Sequence, residues 1–412
     1  MNRMPAMENE IDARRGGVTW SIPLSLAAIG FMILILPPVR EWFYDRGGVR
    51  WLYMLLISST FAYIATPAVK YISLQHNILD IPDARKVHSN AIPLMGGMGI
   101  YIAFILAVLS NGIFSRELFA IVAGASIVFL SGILDDIMKL PSTVRLMLQF
   151  SAVTILLMNG ISIIIFKQTW LGIILNSLLT YLWIIGLTNS TNFFDGMDGL
   201  ATGLSILIAF FLGVVAFQTN QPFLGWLAVA VMGACIGFLP YNFGPRKPAE
   251  IFLGDSGSNF LGFTLASLAV MGEWAEDTIS SLATPLLIFA VLIYDMVYIT
   301  IERFASGKVR TIREWLDYVG KDHLHHRMEY LLLSKRKSVL FIYLIAFTLG
   351  LNALLLRTAD TFSAIILLAQ AGCILVIVTI MEITGNRKRV KDGPSSALKG
   401  KRLIDKKDRA NG

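Results

Sequence analysis

Apolar positions run through the chain in long unbroken stretches, and twelve of these approach the roughly 20 residues that a helix needs to cross a bilayer. They lie near 18–38, 51–72, 96–113, 118–134, 146–166, 172–188, 200–217, 223–241, 259–273, 280–301, 338–356 and 362–383. The predicted fold class is therefore all-α, a polytopic integral membrane bundle of about 11–12 transmembrane helices. The stretch 18–38 begins too far into the chain, and is too poorly supplied with a cleavage site, to resemble a signal peptide. Its alternative is a helix lying in the membrane interface. The stretch 259–273 is short, and is read as a span because the alternation of connectors needs one there.

Composition agrees with the pattern. Of 412 residues, 55% are apolar and only 15% charged, with a mean hydropathy of +0.65. A soluble domain carries roughly 25% charge, so soluble architectures are excluded. Disorder is excluded too, because it requires low hydrophobicity and high net charge. The two cysteines, Cys235 and Cys373, both sit in apolar runs and form no disulfide framework.

Charge then orients the chain. With the N-terminus inside, most of the 35 Lys and Arg residues fall on the inner connectors and the C-terminal tail. By the positive-inside rule both termini are expected in the cytoplasm. Arg387, Lys388, Arg389 and Lys391 directly follow the last stretch. The net charge of +7 arises largely from this tail and from 302–337. That placement suits contact with anionic headgroups and indicates no nucleic-acid partner.

The remaining polar residues gather in five clusters. These are Asp80 to His88, followed by Gly96 and Gly97; Asp135 with Asp136; Asn189 to Gly199; Asn242 to Ser258; and Asp322 to Arg327. They follow the second, fourth, sixth, eighth and tenth stretches, so all five are expected on the cytoplasmic face. Ionisable groups near hydrocarbon are costly and are kept for function. Adjacent Asp135 and Asp136 do not share a helix face, but at a helix end they can bracket a cation or a phosphate-bound metal. A helical turn would place Asp195 and Asp198 on one side. A few hard oxygen ligands suit Mg²⁺, or Mn²⁺, bridging substrate phosphates. Lys86, Arg85 and Arg327 supply the opposite charge that a diphosphate needs, so the set has the constitution of a phosphoryl-transfer site.

Each cluster also has a plainer reading: a solvated helix end for Asp135-Asp136, a helix cap for Asp195/Asp198, a turn for Asp255. The Gly96-Gly97 pair is read as a packing or turn site. Asp295, inside the tenth stretch, is functional or ion-paired, with Arg303 two turns on as its candidate partner. The histidine run lacks both a cysteine and the His-Glu-x-x-His spacing of common zinc sites. A transporter of twelve spans is the rival from another class, but residues 18–188 and 200–383 show no internal repeat.

In chain order the motifs are Asp80-x-Pro82-x-x-Arg85-Lys86-x-His88 with Gly96-Gly97; Asp135-Asp136; Asn189-x-x-Asn192-x-x-Asp195-Gly-x-Asp198-Gly; Phe252-Leu-Gly254-Asp255-x-Gly257-Ser258; and His323-x-His325-His326-Arg327. Together they resemble the polyprenyl-phosphate N-acetylhexosamine-1-phosphate transferases, glycosyltransferase family 4, over residues 51–385. The last motif resembles the bacterial branch acting on UDP-N-acetylglucosamine with undecaprenyl phosphate. Residues 1–50 then look like an N-terminal extension with an additional hydrophobic segment, and 386–412 like a basic cytoplasmic tail.

The resemblance implies transfer of a sugar 1-phosphate from a UDP-sugar to a polyprenyl phosphate. UMP is released, Mg²⁺ is required, and the product begins cell-envelope polysaccharide synthesis at the inner membrane. It implies Asp255 as the principal Mg²⁺ ligand with Asp136 nearby, and Asp135 as the acid that deprotonates or positions the lipid phosphate. Phe252 would stack on uracil, while Asn192, Asp195, Asp198 and Asn242 would hold the nucleotide. Lys86 and His88 belong to the first substrate-binding motif, and Lys86 with His323, His325, His326 and Arg327 would bind diphosphate and sugar. A different UDP-N-acetylhexosamine donor is the competing reading within the family, and a homodimer is compatible with the sequence.

Overall fold

The structure is a computed structural model that describes residues 21–46, 48–81, 91–244, 247–275, 278–311, 314–315, 318, 320 and 322–384. Lys86 and His88 of the first motif, residues 1–20 and the basic tail from 385 onward lie outside the described residues.

Each of the twelve apolar stretches carries a helix. In chain order they are α1 (Ile22–Leu34), α2 (Pro37–Asp45), α3 (Arg50–Gln75), α4 (Gly97–Asn111), α5 (Arg116–Met138), α6 (Ser142–Met158), α7 (Trp170–Phe193), α8 (Leu200–Gln218), α9 (Pro222–Asn242), α10 (Gly254–Met271), α11 (Thr278–Ile288), α12 (Ala290–Ala305), α13 (Leu324–Leu332), α14 (Lys335–Leu356) and α15 (Thr361–Thr384). Seven described helices are long and apolar enough to cross a membrane, and nine spans result if each bent pair counts as one. The chain is a multi-pass membrane protein. Hydroxyl side chains start several helices: Ser115 accepts from the Leu118 amide at 3.1 Å and Thr169 from Gly172 at 3.2 Å. Each such bond satisfies an amide with no partner inside its own helix.

Three stretches depart from simple spans, each for a local reason. The first bends by 70° between α1 and α2, where Pro37 and Pro38 open the second helix. The tenth breaks by 78° between α11 and α12, just after Pro285. The fifth, expected as one helix over 146–166, stops at Met158, where Asn159 and Gly160 (φ +85°) end it. Beyond that break the chain runs extended beside α7. Asn176 accepts from the Ile165 and Phe166 amides and donates to the Phe166 carbonyl, and Thr180 accepts from Ile163. Non-helical backbone persists at such depth only when protein groups satisfy it.

The centre of the bundle is α10, buried along nearly its whole length and packed among α4, α5, α7 and α8. Its mixture of Ser, Thr and Gly is explained by this setting: it faces protein on every side, and small residues let neighbouring backbones close in. Phe260 on α10 meets Tyr101 of α4 edge-on at 5.3 Å, and Tyr101 stacks on Phe129 of α5 at 4.0 Å. Around this core, α9 packs on α3 and α8, and α14 on α8, α11 and α13. A two-residue antiparallel ladder, β1 (Leu79–Asp80) with β2 (Ile92–Pro93), leads into α4.

Candidate active site

The site forms at one end of the bundle, where α10 begins. Gly254, at φ +76°, turns the chain from the 249–253 segment into the helix, and a Cβ there would lie 2.7 Å from an Asp136 oxygen. Asp136, at the end of α5, accepts from the Asp255 amide at 2.9 Å with one oxygen. Its other oxygen accepts from the Ser256 amide at 3.2 Å and the Ser256 hydroxyl at 2.9 Å. Asp136 therefore caps α10 from a different helix, with its charge at the positive end of the dipole.

Asp135 points elsewhere, as adjacent helical residues must. One oxygen accepts from the Leu140 amide at 2.7 Å, and the other pairs with Arg145 Nη1 at 2.8 Å. Asp135 and Asp255 are close enough to act on each other's charge. Asp255 accepts from Asn192 Nδ2 at 2.7 Å, and its second oxygen lies 3.9 Å from Arg145. Its side chain is 29% exposed, against 5% for Asp135, so Asp255 presents the open carboxylate. Asn192 also donates to Ser258 Oγ at 2.9 Å, which fixes the last turn of α7 against α10.

Asp195 and Asp198 lie in the turn between α7 and α8, not on the helical turn expected from their spacing. The glycines at 196 and 199 explain this, since they favour a turn over continued helix. Asp198 accepts from the Ala249 amide at 3.0 Å. Asp195 is half-buried near the Gly254 backbone; burial, and then the charges of Asp255 and Asp136, hold its carboxyl well above the usual range.

Asn242 stands one layer behind. It accepts from the Gly199 amide and Thr202 hydroxyl, at 3.1 and 3.0 Å, and donates to the Ile251 carbonyl at 3.1 Å. It thereby braces the segment carrying Phe252. Phe252 is half-buried, its amide donating to Pro93 and its carbonyl accepting from Gly96, both at 2.9 Å. Gly96-Gly97 is a packing site, as its sequence suggested.

The histidine motif reaches the same end. His325 is buried with both ring nitrogens unpartnered, and a Cβ on Gly196 would lie 2.6 Å from its Nε2. Burial, reinforced by His326 and His323, pulls its pKa well below the usual range and keeps the imidazole neutral. His326 is partly exposed, with Nδ1 3.9 Å from Glu329. His323 and Arg327 turn the other way, onto Asp295 at 2.9 and 3.2 Å. The expected Asp295–Arg303 pair does not form, because Arg303 makes a two-pronged contact with Asp322, both arms at 2.8 Å.

The fold thus brings Asp135, Asp136, Asn192, Asp195 and Asp255 into one cluster, places His325 beside it, and sets Asp198 and Asn242 behind it. Sequence reasoning missed two participants. Arg145 carried no motif, only its position in the inner connector after Asp135. Glu382 pairs with Arg327 at 3.3 Å, and was visible as an acid inside the last apolar stretch. Arg145 lies 2.8 Å from Asp135 and 3.9 Å from Asp255, and Lys139 also acts on Asp135 and Asp136, so among the described residues the four carboxylates outnumber the cations beside them. Among the described residues no three acidic, histidine or cysteine side chains converge on one metal position. Mg²⁺ does not need such a cage, since it takes one or two carboxylates and completes its shell with water and phosphate. The donor chemistry fits that ion.

The fold and site define a multi-pass membrane protein with an acidic cluster at one end of its helical bundle. Residues 118–273 match the model of glycosyl transferase family 4. The chain is 33% identical over 348 residues to a probable undecaprenyl-phosphate N-acetylglucosaminyl 1-phosphate transferase of Bacillus subtilis, across 83% of this chain and 94% of that one. It is 28% identical over 377 residues to a decaprenyl-phosphate N-acetylglucosaminephosphotransferase of Mycolicibacterium smegmatis, covering 83% and 89%. An undecaprenyl-phosphate alpha-N-acetylglucosaminyl 1-phosphate transferase of Thermotoga maritima is 27% identical over 329 residues, covering 79% and 96%. The chain belongs to glycosyl transferase family 4, and is a phospho-sugar transferase.

Proposed function

We propose that the protein transfers N-acetylglucosamine 1-phosphate from UDP-N-acetylglucosamine to undecaprenyl phosphate, at the cytoplasmic face of the inner membrane. An oxygen of the lipid phosphate attacks the sugar-bearing phosphorus of the donor. The bond from that phosphorus to the bridging oxygen breaks, and UMP leaves with that oxygen. The observation that carries the reading is the meeting of Asp135, Asp136, Asp195 and Asp255, from three separate segments, with Arg145 paired to Asp135 and 3.9 Å from Asp255.

Asp255, with the open carboxylate, would hold Mg²⁺, with Asp136 directly behind it. Bound there, the ion supplies positive charge that offsets the diphosphate. Asp135, set by Arg145 and the Leu140 amide, accepts or directs the proton of the lipid phosphate. Asn192 fixes Asp255. The neutral His325 and the partly exposed His326 offer uncharged hydrogen bonds to donor sugar or phosphate. Names of the relatives support the N-acetylglucosaminyl 1-phosphate group and the lipid acceptor. The position of the cluster at a helix end supports a lipid phosphate at headgroup level, with its tail in hydrocarbon.

Purified protein in detergent, given Mg²⁺ and undecaprenyl phosphate, is expected to release UMP from UDP-N-acetylglucosamine. EDTA should stop release and added Mg²⁺ restore it. A panel of UDP-N-acetylhexosamines reports the preferred donor. No UMP from any of them, or full activity in Asp255→Asn, overturns the assignment.

A further inference from the structure

Behind the histidine motif lies an ion network that the transfer chemistry does not use. Asp295, on α12, is 1% exposed. One of its oxygens is 2.9 Å from His323 Nδ1. The other accepts from the Leu324 amide at 2.7 Å, capping the N-terminus of α13, and from Arg327 Nη2 at 3.2 Å. The Arg327 guanidinium lies over the Tyr298 ring at 4.1 Å, with its Nε 3.3 Å from Glu382 on α15. Glu382 is itself buried and accepts from the Tyr294 hydroxyl at 3.3 Å. Three charged groups held in a helical bundle are expensive unless they set something in place.

What they set is α13. Through His323 and the Leu324 amide, Asp295 fixes where that helix starts, and one turn holds all three histidines. The same anchoring puts His325 against Gly196, next to Asp195. An Asp oxygen facing Nδ1 requires the proton on that nitrogen, so the contact fixes how the His323 ring is turned. Arg327 has a carboxylate on either side and an aromatic ring beneath it, so its charge is already spent within the protein.

We infer that Asp295 is the positioning residue of the His323–Arg327 motif, and that Arg327, clamped between Asp295 and Glu382, belongs to this seat and is not a diphosphate ligand. The inference rests on the transfer reading above, and it ties donor use to the last membrane helix.

Asp295→Asn in the full-length protein is the test, because it keeps the shape but removes the charge and one acceptor. The expected result is a fall of about tenfold or more in kcat/KM for the UDP-sugar, the worth of a charge-assisted hydrogen bond. The KM for the lipid acceptor should stay within about twofold, since only α13 has shifted. In ¹⁵N-histidine spectra, with His323 assigned by His323→Gln, the Nδ1–H signature should be present in the wild type and lost in Asp295→Asn. Arg327→Met combined with Asp295→Asn should be no worse than the poorer single variant, because both act through one seat. Should Asp295→Asn fail to fold, Glu382→Gln probes the clamp from the far side and is expected to raise the donor KM alone.

Wild-type kinetics in Asp295→Asn overturn the inference, as do equal losses for donor and lipid, or additive losses in the double variant. Failure of the transfer reading shows separately, as absence of UMP from the wild type. An unchanged His323 signal in Asp295→Asn then still overturns the positioning role.

Discussion

Gly97→Ala adds one carbon at the point where α4 crosses α10. The new Cβ would lie 2.1 Å from the Cα and 2.2 Å from the amide nitrogen of Gly257. Carbon atoms settle about 3.5–4.0 Å apart, so the two backbones must separate by roughly 1.5 Å at this crossing. Neither partner is a side chain that can rotate away. The hydrogen bond from the Gly97 amide to the Leu253 carbonyl, 2.8 Å in the native fold, would be lost with that movement. Overpacking costs about 1–3 kcal/mol and the lost bond about 0.5–1.5 kcal/mol, together about 2–4 kcal/mol. Catalysis should suffer more, because Asp255 is two residues from Gly257, and displacement of a reacting group by about 1 Å can cost about 100-fold. UMP release and thermal denaturation in detergent read the two effects. Gly213→Ala is the control: its Cβ would meet Ala228 and Val229 at 3.6 and 3.7 Å, which is ordinary contact, so its stability should hold or rise. Gly97→Ala with native melting and native turnover would refute the backbone-contact argument.

The remaining predictions separate the carboxylates and the imidazole. Asp136→Asn removes the charge that caps α10 and leaves the Ser256 amide and hydroxyl facing a donor, so it should lose about 2–3 kcal/mol of stability as well as activity. Asp255→Asn should abolish UMP release while melting within about 1 kcal/mol of the wild type, and comparable melting of the two variants would refute the capping role of Asp136. Arg145→Ala should cut turnover and Arg145→Lys retain part of it, because a lysine still pairs with Asp135; equal loss in both would point to shape, not charge. His325 is held neutral with its pKa lowered, so the unfolded chain binds the extra proton first as pH falls below about 6.5. Wild-type stability should therefore decline below that pH by up to about 1.4 kcal/mol per unit, and above it this contribution is constant. His325→Gln should flatten the slope, and parallel pH profiles for the two proteins would refute it.

Much of the molecule was legible in the chain. Twelve apolar stretches each became a helix because a bilayer leaves the backbone no other way to satisfy its hydrogen bonds there. Their polar connectors named the cluster, since acids kept near hydrocarbon have a reason to be there. Asp135, Asp136, Asn192, Asp195 and Asp255 do meet, although they are up to 120 residues apart.

What each acid does was not legible, because it depends on which element lies opposite. Asp136 is a cap only because α10 begins beside it, and Asp135 is an ion-pair partner only because Arg145 returns on α6. Spacing alone put Asp195 and Asp198 on a helix, yet Gly196 and Gly199 opened a turn that sends one to Gly254 and the other to Ala249. Asp295 shows the limit most clearly. Its sequence neighbour Arg303 was the natural partner, but the break after Pro285 aims α12 at α13, and His323 and Arg327 arrive there first. Local composition determines what a segment can be, from hydrophobicity and backbone preference. Partnership among buried charges is decided across segments, by which desolvated groups the packed helices bring within 3 Å of one another.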